Sequence, residues 1–425
     1  MRIYIKTFGC SANKVESELI KKMLVDNGYE IVDSLLEAEV VIVNTCTVRS
    51  ETDLKVINYL KSIKKKKIIV TGCMASSQPA LIAKYFPSAS IISLKCIPMI
   101  LEAINKDKFI CLDKELFINP IPYINGVKAT ILIARGCLGD CSYCIVKVAK
   151  GKLKSINPNI IIENLIKAIK LGVKEIRLSA QDTGVYGIDI GTNIASLLKS
   201  LTSIPGDFII RLGMFKPSKI VNELISSYKS EKIYKFIHIP VQSGSNVILK
   251  KMNRGYTVED FKEVVYSFRR EFPNITLFTD IIVGFPEEEE NDFEETCKLI
   301  IEIKPDKTHV SRFSPRPHTL AASMPQISEE IKKKRSKILH EIIREIQLKK
   351  NEIWIGKEVK ALVVDRYIKG GFIARTPEYK SIAIPNCNSS ILGKWIEVVI
   401  DDITPFYLIG RTIHHIQEEE HRLLV

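Results

Sequence analysis

No apolar run in the 425-residue sequence approaches the roughly 18–20 residues that cross a bilayer, so no membrane span is expected. The first residues, Met1-Arg-Ile-Tyr-Ile-Lys-Thr-Phe8, alternate like a strand and lack the apolar core of a signal peptide. Both absences point to a cytoplasmic protein. There is no G-x-x-x-x-G-K-[ST] phosphate loop, which argues against a nucleotide hydrolase. In a cytosolic chain a structural disulfide network is also unexpected, a hyperthermophilic origin excepted. The ten cysteines therefore point first to metal or catalysis.

Composition is that of an ordinary globular protein, with 46% hydrophobic and 26% charged residues. The length suits about two or three domains. The net charge of +13 is spread as +4, +6 and +3 over residues 1–115, 116–327 and 328–425. That suits a long polyanion touching several domains, although charge alone leaves a generally basic soluble protein equally open. The run Lys64–Lys67 reads as a solvated loop before a strand.

The first segment, 1–119, alternates strands (Arg2–Thr7, Val40–Asn44, Lys67–Thr71) with helices (Lys14–Asn27, Asp53–Lys64). A link with two prolines and a glycine, Asn119-Pro-Ile-Pro-Tyr-Ile-Asn-Gly126, marks its end. Segment 120–327 repeats strand then helix about six times, which predicts a parallel sheet packed with helices. Its strands are expected at Thr130–Arg135, Glu175–Ser179, Phe208–Leu212, Phe236–Pro240, Leu277–Val283 and Thr308–Phe313. A charged amphipathic helix fills 328–352. Residues 353–417 read as a small all-β barrel with strands at Lys357–Val364, Phe372–Thr376, Ser381–Ile384 and Trp395–Ile400. Residues 418–425 form a tail.

The strongest motif is Gly136-Cys137-Leu-Gly-Asp-Cys141-Ser-Tyr-Cys144. Three thiolates on one loop can wrap an iron–sulfur cluster and leave one iron open, and an open position is where chemistry occurs. A closed zinc site would need a fourth Cys or His nearby, and the next such residue is His238. A second triad is dispersed: Cys10, Cys46 and Cys73 each end a predicted strand. In an open parallel sheet those ends share one edge, where ligands bind. Three buried structural cysteines are the plainer alternative. Cys96, Cys111, Cys297 and Cys387 have no such placement and read as core or incidental, His238 as a satisfied core histidine, and Gly184–Gly187 as a turn. Polar residues at strand ends, some of them structural, are expected to converge at the mouth of the Cys137 loop: Ser179, Gln181, Asp182, Arg211, Gln242, Ser243, Asp280, Arg312 and Arg316.

Over nearly its whole length the sequence resembles the radical-SAM methylthiotransferases. The resemblance rests on Thr7-Phe-Gly-Cys-Ser-Ala-Asn13, Asn44-Thr-Cys-Thr-Val-Arg49, Thr71-Gly-Cys73 and the Cys137 loop. It rests also on His238-Ile-Pro-Val-Gln-Ser-Gly244, Met252-Asn-Arg254 and Asp280-Ile-Ile-Val-Gly-Phe-Pro286. The final β module resembles a TRAM domain, a small RNA-binding barrel. Gly136–Lys147 and Ser179–Gly187 are most similar to the archaeal and eukaryotic branch, with Ala149-Lys-Gly151 where Ala-Arg-Gly is typical. Lysine keeps the charge there and loses the planar fork.

The resemblance implies an α/β fold of three parts: an N-terminal parallel domain, a radical-SAM partial (β/α)6 barrel and a TRAM barrel. It implies two [4Fe–4S] clusters, one on Cys137, Cys141 and Cys144 that cleaves S-adenosylmethionine (SAM), and an auxiliary one on Cys10, Cys46 and Cys73 that carries sulfur. Two SAM molecules are used per turnover. The 5′-deoxyadenosyl radical removes hydrogen from C2 of N6-threonylcarbamoyladenosine at position 37, in the anticodon stem-loop of transfer RNA, and a methylthio group replaces it. Cofactor contacts are expected from Ser179, Gln181, Asp182, Arg211, Gln242, Ser243 and Asp280. RNA contacts are expected from Arg254, Arg312, Arg316, Lys357, Lys369 and Arg375, with Lys360, Arg366, Phe372 and Lys380 as further candidates on the β module. Partners are transfer RNA, an electron donor and a sulfur donor, and the chain is expected to be a monomer. Methylthiolation of another adenosine or of a protein side chain, or a non-catalytic metal-stabilised RNA-binding protein, are the alternatives.

Overall fold

In a computed structural model, residues 1–218, 220–385 and 391–413 are described. Cys387 and the 418–425 tail lie outside them. The N-terminal part is a six-stranded parallel sheet in the order Glu30–Ile31, Arg2–Thr7, Val40–Thr45, Lys67–Gly72, Ser90–Ile92, Ile110–Cys111. Val40–Thr45 is buried at every residue, as a central strand covered on both faces should be. The first helix, Ser11–Asp26, starts one residue after Cys10.

The central part holds six parallel strands in two groups of three. Lys128–Leu132, Glu175–Ser179 and Ile209–Leu212 form one group, with Tyr123–Asn125 antiparallel at its edge. Phe236–His238, Thr276–Val283 and Lys307–Arg312 form the other. An isolated bridge between Ile210 and Ile233 links them into an open barrel. The expected strand Thr130–Arg135 is divided: past Leu132 the chain leaves the sheet, and Ala134–Arg135 pairs antiparallel with Lys154–Ser155. This short hairpin frames the Cys137 loop.

The long helix Glu329–Glu352 is capped by the Ser328 side chain, which accepts from the Ile331 amide. It leads to a closed five-stranded barrel: Glu358–Arg366, Phe372–Arg375, Ser381–Ile384, Leu408–Thr412 and Trp395–Ile403, in spatial order. This barrel seals the end of the central barrel where the strands begin. Ile209, Tyr234 and Phe236 pack there on Leu362, Val364 and Tyr379 in one buried cluster. Ion pairs ring the seam: Lys128 with Asp365, Arg375 with Glu175, and Lys380 with Asp306. The N-terminal domain covers the opposite end, where the strands finish. There Arg49 donates to Ser311 at 2.9 Å, and Ala12 and Val15 pack on Leu132. No described helix is long and apolar enough to cross a membrane.

Candidate active site at the seam of two cysteine triads

Two glycines let the N-terminal cysteines approach each other. Gly9 has φ +116°, and a Cβ on it would stand 2.8 Å from the Cys46 Cβ. Gly72 has φ +93°, and a Cβ there would stand 2.4 Å from the Thr45 backbone. Any other residue would push the strand ends apart. A pair of asparagines then fastens two of the loops. Asn13 Nδ2 donates to Asn44 Oδ1 (3.2 Å) and to the Thr45 carbonyl (2.9 Å), while Asn44 Nδ2 donates to the Asn13 carbonyl (2.8 Å). The Cys10 thiol donates to Asn13 Oδ1 at 3.3 Å. The third loop is joined by the Met74 amide, which donates to Thr45 Oγ1 at 3.2 Å.

Burial pushes the Cys46 thiol up, and it pushes the Cys73 thiol up to about 12. Next to them lies a buried ion pair between Lys150 and Glu16, 2.8 Å long. Burial works to lower the Lys150 ammonium, but Glu16 together with Cys73 and Cys10 outweighs it and holds the charge in place. Lys150 closes the helix Ile145–Lys150 that follows Cys144, and this helix packs against the one starting at Cys73. The two cysteine sets therefore share one seam.

On the Cys137 loop, the Gly139 amide donates to Cys137 Sγ at 3.3 Å. Arg254 Nη1 donates to Cys141 Sγ at 3.3 Å, and Lys216 Nζ stands 3.7 Å from the same sulfur. Burial pushes the Cys144 thiol up, and the charge of Cys141 adds to it. Donors aimed at sulfur and a thiol-only ligand set fit thiolates bound to iron. Among the described residues no three His, Cys, Asp or Glu side chains converge to hold one metal ion. Cluster thiolates bind separate irons and need not converge so tightly. Gln181 Oε1 is a buried acceptor without a partner at the end of its strand, as expected where a ligand completes the site.

The other expected site residues divide. Ser179, half-buried, ends its strand beside Gln181. Asp182 is buried, accepts from the Gly184 and Lys216 amides, and is pushed above the usual carboxyl range by burial. It thus fixes the backbone of Lys216, a residue that sequence reasoning missed. Gln242 sits at φ +76° and bridges to the Asp280 strand through its backbone. Asp280 Oδ2 holds His238 Nε2 at 3.1 Å, so His238 is a satisfied buried histidine. Arg312 is exposed with only distant acidic neighbours, 3.7 and 3.9 Å away. Lys357 and Lys369 are exposed on the C-terminal barrel.

Several assignments are corrected. The Ser243 side chain is fully buried; its hydroxyl faces Thr296 and accepts from the Ser245 amide, so it holds a loop. Arg211 lies over Phe236 and Tyr379, with ring centroids at 4.7 and 5.7 Å, and belongs to the floor of the barrel rather than its mouth. Arg254 is buried under the Cys137 loop and cannot meet RNA. Arg316 is buried between domains on Thr47 and Asp53. Arg375 pairs with Glu175 and stacks on Tyr379 in the floor seam. Phe372 is in the barrel core, and Lys380 is bound to Asp306 and Asn351.

Three family models match along the chain: uncharacterized protein family UPF0004 over residues 2–93, the Radical SAM superfamily over 131–300 and the TRAM domain over 354–413. A Pyrococcus horikoshii protein named "Probable threonylcarbamoyladenosine tRNA methylthiotransferase" is 43% identical, covering 97% of this chain and all of the relative. The chain belongs to the threonylcarbamoyladenosine tRNA methylthiotransferase family. The family member from Homo sapiens is 34% identical over 97% of this chain and 74% of its own length. Among solved structures, the radical SAM methyltransferase TsrM from Kitasatospora setae superposes with a TM-score of 0.57 at 15% identity. That match covers 76% of this chain and 77% of TsrM, and it shows a shared fold. Radical SAM membership implies an iron–sulfur cluster and SAM as cofactors of this methylthiotransferase-family chain.

Proposed function

We propose that this protein attaches a methylthio group to C2 of N6-threonylcarbamoyladenosine at position 37 of transfer RNA. One observation carries the reading: the helix starting at Cys73 packs on the helix that follows Cys144, so both cysteine triads open on one seam. Cys137, Cys141 and Cys144 would hold one [4Fe–4S] cluster, and Cys10, Cys46 and Cys73 a second. When bound, the clusters and SAM supply the radical that removes the C2 hydrogen and the sulfur that replaces it.

The protein's own groups bind and orient. Gln181 offers a free buried acceptor at the mouth, and Asp182 holds the backbone that carries Lys216. The N-terminal domain roofs the mouth and keeps water from the reacting centre. An unpaired anticodon-loop base can reach such a site at little unstacking cost. Exposed Lys357 and Lys369 on the C-terminal barrel would contact phosphates of the same RNA, at the opposite end of the strands from the cysteines.

The test separates the triads. Wild-type protein, reconstituted anaerobically, should carry about eight iron per chain, and the triple variant Cys10→Ala, Cys46→Ala, Cys73→Ala about half of that. The triple variant should still release 5′-deoxyadenosine from SAM and reductant but leave transfer RNA without methylthio product. Cys141→Ala should form neither. Methylthioadenosine made by the triple variant would refute the assignment of those cysteines.

A further inference from the structure

Arg254 is 7% exposed, and each of its three side-chain nitrogens donates a hydrogen bond. Nε donates to the Tyr256 hydroxyl (2.8 Å) and Nη2 to the Pro240 carbonyl (3.0 Å). Nη1 donates to the Tyr143 hydroxyl (3.1 Å) and to Cys141 Sγ (3.3 Å). Tyr256 is itself anchored on the Pro240 carbonyl at 2.7 Å. Among the described residues no carboxylate bonds this guanidinium. A buried charge without a counter-charge is strongly destabilising. Two phenols and a carbonyl solvate the guanidinium but do not neutralise it. Burial pushes both phenols up and keeps them neutral, and the carboxyl of Asp182 acts on Arg254 only through space, so the sulfur is the bonded partner that carries negative charge when it ligates a cluster.

We propose that Arg254 is the fixed counter-charge of the radical-generating cluster, a positioning residue that holds Cys141 and raises the cluster's reduction potential. The inference rests on the assignment of Cys137, Cys141 and Cys144 to that cluster. Hydrogen bonds to cluster sulfurs and local burial are what set such potentials. Accepting one electron from an external reductant adds one negative charge to the cluster. A positive charge held 3.3 Å from a ligand sulfur favours that reduced form over the oxidised one. Lys216 Nζ, 3.7 Å from the same sulfur, is a second cation on a flexible stem, so removing Arg254 shifts the potential without removing all of the positive field.

The experiment is a redox titration of the anaerobically reconstituted full chain, followed by the electron paramagnetic resonance signal that changes when SAM is added. Arg254→Gln should keep its iron and show a lower midpoint. At a fixed potential the ratio of reduced to oxidised cluster should fall about tenfold, which is about 59 mV for one electron. Arg254→Lys, which keeps the charge but loses the fork, should fall by less. An unchanged midpoint in iron-replete Arg254→Gln overturns the proposal. If Arg254→Gln loses the cluster, the neutral Arg254→Met decides: a lowered midpoint supports it, and an unchanged one overturns it. Loss of this cluster from both variants, with the other cluster retained, would reduce Arg254 to a loop anchor and overturn its role in setting the potential. A wild-type protein with no SAM-sensitive signal would instead refute the cluster assignment on which the inference rests.

Discussion

A single side chain beside the N-terminal triad illustrates what residue chemistry decides. Lys150 stands where arginine is typical of the branch this sequence resembles. Its ammonium gives Glu16 one hydrogen bond, to Oε1, and leaves Oε2 buried without a partner. A planar fork would reach both oxygens. A cavity of about 430 Å³ borders Glu16, Lys150 and Arg135, which gives the larger head room. Lys150→Arg should therefore stabilise the folded protein by about 1 kcal/mol. Chemical denaturation of the two proteins side by side measures this. A less stable Lys150→Arg protein would mean that the orphaned oxygen already has a bridging water.

The strands with apolar alternation or a β-branched run were legible in the sequence. Arg2–Thr7 and Glu175–Ser179 fall where their patterns place them, and Val40–Thr45 and Lys67–Gly72 extend one residue further. Glu30–Ile31, Ile110–Cys111 and Leu408–Thr412 were not foreseen. Two residues carry no period, and the last strand contains Gly410, where a Cβ would stand 2.4 Å from the Val399 carbonyl oxygen. The seam between the barrels depends on such tertiary partners. Asp306 is buried between Lys350 and Lys380, each 2.7 Å away. Burial works to raise its carboxyl, but the two ammonium groups outweigh it and hold it below its usual 3.8. Asp306→Asn would leave two lysines facing each other and should cost about 3–5 kcal/mol at neutral pH. A carboxyl depressed on folding stabilises above its unfolded value, and that contribution is lost as pH falls through the folded one. Urea denaturation of wild type and variant should therefore differ at pH 7 and converge in acid. Equal stability at pH 7 would show that the seam does not need this charge.

At the scale of the whole molecule, Arg316 rivets the radical-SAM barrel to the N-terminal domain. Its guanidinium bonds Thr47, one residue past Cys46, and Asp53 in the helix Ser50–Ser62. Arg316→Gln should leave SAM cleavage intact and lower the methylthio product formed per 5′-deoxyadenosine by about 10- to 100-fold, because misplacement of reacting groups is that costly. Both products can be quantified in the same reactions by chromatography and mass spectrometry. An unchanged ratio would show that domain orientation does not limit transfer. The cysteine spacings, the alternation of strand and helix and the three-part order were readable without coordinates, because local motif and period carry them. Arg254, Arg316 and Arg375 were read as RNA contacts, because a basic residue near a motif looks the same whether it meets solvent or a buried partner. Their true partners, Cys141, Asp53 and Glu175, lie far away along the chain: closure of the central barrel brings Cys141 to Arg254, and only the packing of domains brings Asp53 to Arg316 and Glu175 to Arg375.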